Sequence, residues 1–188
     1  MSLSLSFFKA PSLPAALSDL SAKSFKTDVS HDGAALTSFD LFIGKVKIGR
    51  VYEDDWSGSI MLDEISPDTQ KLFDEYCQQR EVIKYVREKY AKDVGEEYIL
   101  ITIYTVFREI NNHKSITRKS VRNIMVGKPN QHYAVNWKKT KLEEMPAQKI
   151  QDEITKLIAE AKKNGIETTL LNTPEQLKSL GVEFTAAN

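Results

Sequence analysis

Two runs rich in apolar and β-branched residues, 36–43 and 46–51, are separated by only Gly44 and Lys45. A link of two residues joins antiparallel strands, and glycine supplies the positive φ that such a turn needs. Gly49, inside the second run, marks either a β-bulge or a point of close backbone packing. Residues 53–58 are polar and turn-forming, and 59–62 supply a third strand. The segment therefore reads as a small antiparallel meander. Helical signals then replace it. Ser66 is placed to cap free backbone N–H groups, and Pro67 at the first helical position gives up no hydrogen bond. Leu72, Phe73, Tyr76, Ile83, Val86 and Tyr90 recur so as to form one apolar face. The Gln78-Gln79-Arg80 interruption is a point where this helix can divide in two, and Gly95 ends it.

Residues 98–110 carry conflicting signals. Their β-branched side chains favour a strand. Thirteen nearly continuous apolar residues are long for one, however, and Glu96, Glu97 and Arg108 suit a helix dipole. The reading adopted is a buried helix. Residues 117–126 and 131–137 flank Gly127-Lys128-Pro129-Asn130, a strong turn sequence, and predict a hairpin. Pro146 opens a helix to about Lys163, with Ile150, Ile154, Leu157, Ile158 and Ala161 as its buried stripe and Asn164-Gly165 as its C-cap. Residues 166–171 read as a strand. Thr173-Pro174-Glu175-Gln176 reads as a capping box for a last short helix ending at Gly181, and the tail after Phe184 is expected to fray.

At the other end, residues 2–6 alternate with period two, as a loose arm or an edge strand. Ser12 as N-cap with Leu13, Leu17 and Leu20 predicts a short helix within 11–23, and His31-Asp32-Gly33 reads as a turn. The expected class is α+β, a single domain in which a small antiparallel sheet and hairpins pack with several helices. Residues 1–34 are expected to form an N-terminal arm and short helix, and 35–184 the α+β domain.

A chain of 188 residues, 41% hydrophobic and 28% charged, can bury a core without staples, which argues against disorder. The single cysteine, Cys77, cannot form an internal disulfide. No apolar run approaches the roughly 20 residues that span a bilayer. The opening residues have neither the basic start nor the continuous apolar stretch of a secretory signal. A cytoplasmic location without membrane contact is therefore expected.

The net charge is zero, but its distribution is uneven. Between Ile110 and Leu142 there is no acid, while Lys114, Arg118, Lys119, Arg122, Lys128, Lys138, Lys139 and Lys141 lie there. Between Glu53 and Glu75 eight acids face only Lys71. Cations neutralise phosphates and aromatic rings stack on bases. Arg118, Lys119, Arg122, Lys128, Tyr133, Trp137, Lys138 and Lys139 are thus candidates for nucleic-acid or anion binding on the expected hairpin. The alternative is a solvated basic face with Tyr133 and Trp137 in the core. Asp54, Asp55, Trp56 and Glu64 are candidates for contact with a protein partner, since patches of one sign steer association; an exposed acidic face is again the alternative.

Glu53, Asp54, Asp55, Asp63 and Glu64 do not follow the spacing of a calcium loop, and no metal site is assigned. Cys77 with His31, His113 or His132 would make a nucleophile–base pair, but no local signature supports it. Nucleotide-binding glycine motifs, H-E-x-x-H, paired C-x-x-C and G-x-S-x-G do not occur. No catalytic residue and no cofactor is assigned.

Phe39-Asp40-Leu41-Phe42-Ile43 leads through Gly44 and Gly49-Arg50-Val51 to Asp54-Asp55-Trp56-Ser57-Gly58, and later to Leu171-Asn172. This order, over about residues 39–180, resembles a loose group of uncharacterised phage-encoded proteins. They open with a G-x-V strand and a glycine-rich turn and end in a helix followed by a strand carrying Leu-Asn. Ser57 stands where that turn would have its second glycine. The resemblance implies a phage or mobile-element origin and no catalytic residue. Three functions are expected in turn. The first is an accessory protein that binds a host or viral protein, as an inhibitor of a host defence complex would. The second is a nucleic-acid binder using the basic hairpin 114–141. The third is an enzyme or small-ligand binder without a recognisable motif. The sequence leaves the oligomeric state open.

Overall fold

The computed structural model describes residues 3–90, 95–129, 131–137 and 140–186. In chain order the elements are β1 (Leu3–Leu5), β2 (Leu20–Val29), β3 (Ala35–Ile43), β4 (Val46–Glu53), β5 (Ile60–Asp63), α1 (Pro67–Cys77), α2 (Arg80–Tyr90), α3 (Glu96–Ser120), β6 (Ile124–Lys128), β7 (Gln131–Val135), α4 (Ala147–Lys163), α5 (Pro174–Ser179) and β8 (Phe184–Ala186). The class is α+β. The contacts divide the chain into two compact units, residues 11–111 and residues 1–10 with 112–188.

In the first unit, β2, β3, β4 and β5 form a four-stranded antiparallel sheet in that order. The meander read from sequence is its β3–β5 part. Thr37, Phe39 and Leu41 alternate into the core from β3. The β3–β4 register shifts by one residue between Leu41 and Phe42, opposite Lys47 and Gly49. Gly49 serves both purposes expected of it. It adjoins this bulge, and a Cβ there would lie 2.3 Å from the carbonyl oxygen of Asp63 on β5. Against Phe39, Leu41, Ile48 and Val51 pack Phe73, Tyr76, Val82, Val86, Ile103 and Phe107 from the helices. α1 and α2 do divide near Gln78-Gln79. Ser66 and Thr69 close a reciprocal capping box at the start of α1.

The short helix expected in 11–23 is not formed. A single 3-10 turn, Ala15–Leu17, is followed by β2, because Leu17 and Leu20 are both buried in the core under the sheet. α3 settles the conflict in 98–110 in favour of a helix and continues ten residues beyond it. Ile99, Ile103 and Phe107, spaced by four, are all buried, and the buried Thr102 donates its hydroxyl to the Tyr98 carbonyl. Burial on several sides is why no clean stripe showed in the sequence.

In the second unit, β6 and β7 pair as a hairpin, and β1 pairs in parallel with β8. The hairpin is shorter than read. Residues 117–120 belong to α3, where Ile116 and Ser120 are buried, and the strand starts only at Ile124. Gly127, at φ 132°, allows Gln131 to approach, since a Cβ would lie 2.4 Å from the Gln131 carbonyl. α4 buries Ile150, Ile154, Leu157 and Ala161 of the expected stripe against Ile124, Val126 and Leu170, while Ile158 at its edge is only half-buried. The strand expected over 166–171 reduces to a bridge at Leu170, which pairs with both Phe7 and Val126. The capping box at 173–176 is half made. Thr173 accepts from the Gln176 N–H, but the Gln176 side chain is drawn to the Ser120 carbonyl instead. The tail does not fray at Phe184, because β8 is tied to β1 and Phe184 packs on Phe7.

Candidate interaction surfaces

In the unit of residues 11–111, antiparallel order brings the β2–β3 turn and the β4–β5 loop to the same end of the sheet. The turn closes on itself: Ser30 donates its N–H to the Ala34 carbonyl at 2.8 Å, and Ala34 donates its N–H to the Ser30 hydroxyl at 2.7 Å. Asp32 accepts from the Ser30 hydroxyl, which holds its carboxyl below the usual range. In the loop, Asp54 Oδ1 accepts from the N–H groups of Trp56 (3.2 Å) and Ser57 (2.8 Å) and from the Ser57 hydroxyl (2.8 Å). Aspartate before such a turn replaces a missing backbone partner with its own carboxylate. The donors from Ser57 keep Asp54 ionised below its ordinary pKa.

The loop and the turn meet through His31. Its N–H donates to Asp55 at 3.1 Å, and its Nδ1 lies 3.0 Å from Asp55 Oδ1. The imidazole stacks on the indole of Trp56, with centroids 4.6 Å apart and planes within 14°. Trp56 is nevertheless 82% exposed, with Val29 beside the turn at 76%. The Asp55 hydrogen bond raises the His31 pKa above 6.5. The result is an aromatic surface fixed from one side and open on the other, flanked by Asp54 and Asp55.

Glu64 does not join this cluster. It follows β5 at the opposite end of the sheet and pairs with Lys47 at 3.0 Å, which also holds Asp40 at 3.2 Å. Nor do the acids converge on a metal. Glu53 accepts from the Tyr104 hydroxyl at 2.8 Å, and Asp63 from the Tyr52 hydroxyl at 2.8 Å. Among the described residues no three His, Cys, Asp or Glu are grouped as metal ligands. Cys77 lies in the core, where burial pushes its thiol up to about 12. At neutral pH it is a protonated, enclosed thiol rather than a nucleophile.

In the unit of residues 1–10 and 112–188, the basic candidates are distributed over three elements. Arg118 and Lys119 occupy the last turn of α3, where cations suit the helix dipole. Arg122 lies in the turn that follows. Lys128, on the hairpin, is paired with Glu167 at 3.1 Å. Tyr133 and Trp137 are half-buried and pack against the core cluster of this unit. Trp137 also lines a cleft of about 800 Å³ with Arg122, Asn123, Asn136, Lys141 and Glu143. Lys138 and Lys139, like Ser2 and Asn130, lie outside the described residues.

The turn beside that cleft is held by a buried side chain from far along the chain. Asn172, 1% exposed, accepts the Met125 N–H at 2.9 Å and donates to the carbonyls of Asn123 (2.8 Å) and Ser120 (3.1 Å), its Nδ2 also lying 3.2 Å from the Gln176 side-chain oxygen. This fixes the 120–123 turn that carries Arg122. The Leu-Asn pair singled out in the resemblance is thus a structural clamp. His31 is a turn residue and a candidate base for Cys77 in the sequence; its place in a turn aligned with the Asp54–Gly58 loop is the signal that pairs it with Trp56. No family model, no curated protein and no solved structure matches the chain.

Proposed function

We propose that this protein works by binding another protein through the Trp56 end of its four-stranded sheet. One observation carries the reading: an 82% exposed tryptophan is held in place by a stacked histidine. Large aromatic side chains dominate the energetics of interfaces when their partner desolvates them. Fixing the ring in advance lowers the ordering cost of association. Asp54 and Asp55 add a negative rim that favours a partner surface rich in Lys and Arg. The resemblance to phage-encoded proteins is what supports a host or viral protein as that partner, with inhibition of a host defence complex as the outcome.

The test is affinity capture from nuclease-treated bacterial lysate, with the intact chain and its Trp56→Ala and Asp54→Lys/Asp55→Lys variants as baits. A complex held by the parent and released by both variants is the expected result. Equal retention by all three would remove the Trp56 end from the interface.

A further inference from the structure

We propose that the unit of residues 1–10 and 112–188 carries a separate binding site, a cleft for a segment of single-stranded nucleic acid. The cleft holds about 800 Å³, within the range of small-ligand sites. That admits a base and its sugar-phosphate, and it is too small for a duplex. Trp137 is anchored by the core of its unit yet lines the cleft. A ring fixed in this way offers a stacking platform to any base.

The polar lining fits the rest of a nucleotide. Arg122 and Lys141 are exposed at the cleft and form no ion pair among the described residues. They are free to meet phosphate. Asn136 brings an amide able to donate and accept on a base edge, and Asn123, whose amide donates to the Lys119 carbonyl at 2.6 Å, offers its side-chain oxygen and remaining N–H. Among the described residues of the lining Glu143 is the single acid. Lys114 and Arg118, four residues apart on α3 and both exposed, extend the positive charge along one helix face toward the turn that carries Arg122.

The site is also stiff. Arg122 and Asn123 stand on a turn whose carbonyls are held by the buried Asn172, with Arg122 itself donating its N–H to the Lys119 carbonyl at 3.1 Å. An acidic peptide would meet the cations, but it carries no flat base to cover the ring. A single strand uses both.

The intact chain in a Trp56→Phe background retains Trp137 as its one tryptophan, so fluorescence reports the cleft directly. It is titrated with a single strand of about 12 nucleotides, within the span that such sites cover, at several salt concentrations. A duplex of the same sequence and a mononucleotide serve as the other arms. The expected result is quenching by the strand that weakens steeply with salt, with at least tenfold weaker binding of the duplex and of the mononucleotide. Arg122→Glu/Lys141→Glu should weaken strand binding at least tenfold. It should also lower the salt slope by about 1.4, two phosphate contacts at roughly 0.7 each. Both side chains are exposed, and an unchanged thermal unfolding curve shows that the variant is folded. Strand binding that is absent, insensitive to salt or unaffected by the double reversal overturns the proposal. So does a duplex or a mononucleotide bound as tightly as the strand.

Discussion

Asp54 and Asn172 do similar work in different surroundings. Each is a short side chain that organises a loop by hydrogen bonds to backbone. Asp54 accepts two of them, and a third bond from the Ser57 hydroxyl, at an exposed loop tip; Asn172 makes three inside a core at 1% exposure and also meets the Gln176 side chain. Water can reach the partners of Asp54, whereas the Met125 and Ser120 partners of Asn172 are buried. The difference teaches where each surface gets its rigidity. The Trp56 end is shaped by local bonds and one ring stack, whereas the Arg122 turn is set by the core beneath it.

Removing the buried side chain should have the largest effect. Asn172→Ala leaves the Met125 N–H and the Asn123 carbonyl without this partner, while the Ser120 carbonyl keeps its bond from Gln176. We expect a loss of about 3 kcal/mol, since unsatisfied buried groups lose their full desolvation cost. Chemical denaturation followed by far-UV circular dichroism measures it. Asn172→Asp should be nearly as damaging, because a carboxylate cannot donate to Ser120 and Asn123. A loss below about 1 kcal/mol in both would put Asn172 on the same footing as Asp54.

Gly49→Ala comes next, at about 2 kcal/mol. Its Cβ would meet the Asp63 carbonyl at 2.3 Å, so β4 and β5 must part locally. Because the β4–β5 loop carries Trp56, this variant sharpens the comparison. Capture of the proposed partner should fall together with stability, as it should not for Asn172→Ala under conditions where that variant is folded. Trp56→Ala reverses the pattern, with partner capture lost and the melting curve unmoved, since an exposed ring adds little burial.

The sheet was legible because each signal in 36–67 was local: a two-residue turn, a Gly where a backbone approaches, a Ser-Pro helix start. The α3 helix was legible from length and end charges despite its β-branched residues. What failed depended on partners far along the chain. Leu13, Leu17 and Leu20 have helical spacing, yet tertiary burial of Leu17 and Leu20 leads into β2. Residues 166–171 look like a strand, yet β-bridges form only at Leu170, to Phe7 and Val126, with single backbone bonds to Thr169 and from Leu171 on either side. At the candidate sites, Trp56, Asp54 and Asp55 were found by charge and composition. Glu64 was grouped with them by proximity in sequence, but strand β5 carries it to the far end of the sheet. Asn172 could not have been found from its neighbours, because Ser120, Asn123 and Met125 lie about fifty residues earlier in the chain.

The smallest effect belongs to His31, and it tests the ring stack by a route independent of any partner. Asp55 raises the His31 pKa through their hydrogen bond, with further help from the charges of Asp55 and Asp32. A histidine whose folded pKa lies above its unfolded value stabilises the fold in its protonated form. That contribution is fully present below about 6.5 and fades as the pH rises through the folded pKa. The exposed setting keeps it small. Titration of the His31 ring protons by NMR should therefore give a midpoint above 6.5, and Asp55→Asn should lower that midpoint. The Trp56 indole resonances should shift with the same midpoint, because the rings are 4.6 Å apart. Indole signals that ignore the His31 titration would mean that the rings do not stay stacked in solution. The Trp56 end would then lose the one contact that distinguishes a prepared surface from a loose side chain.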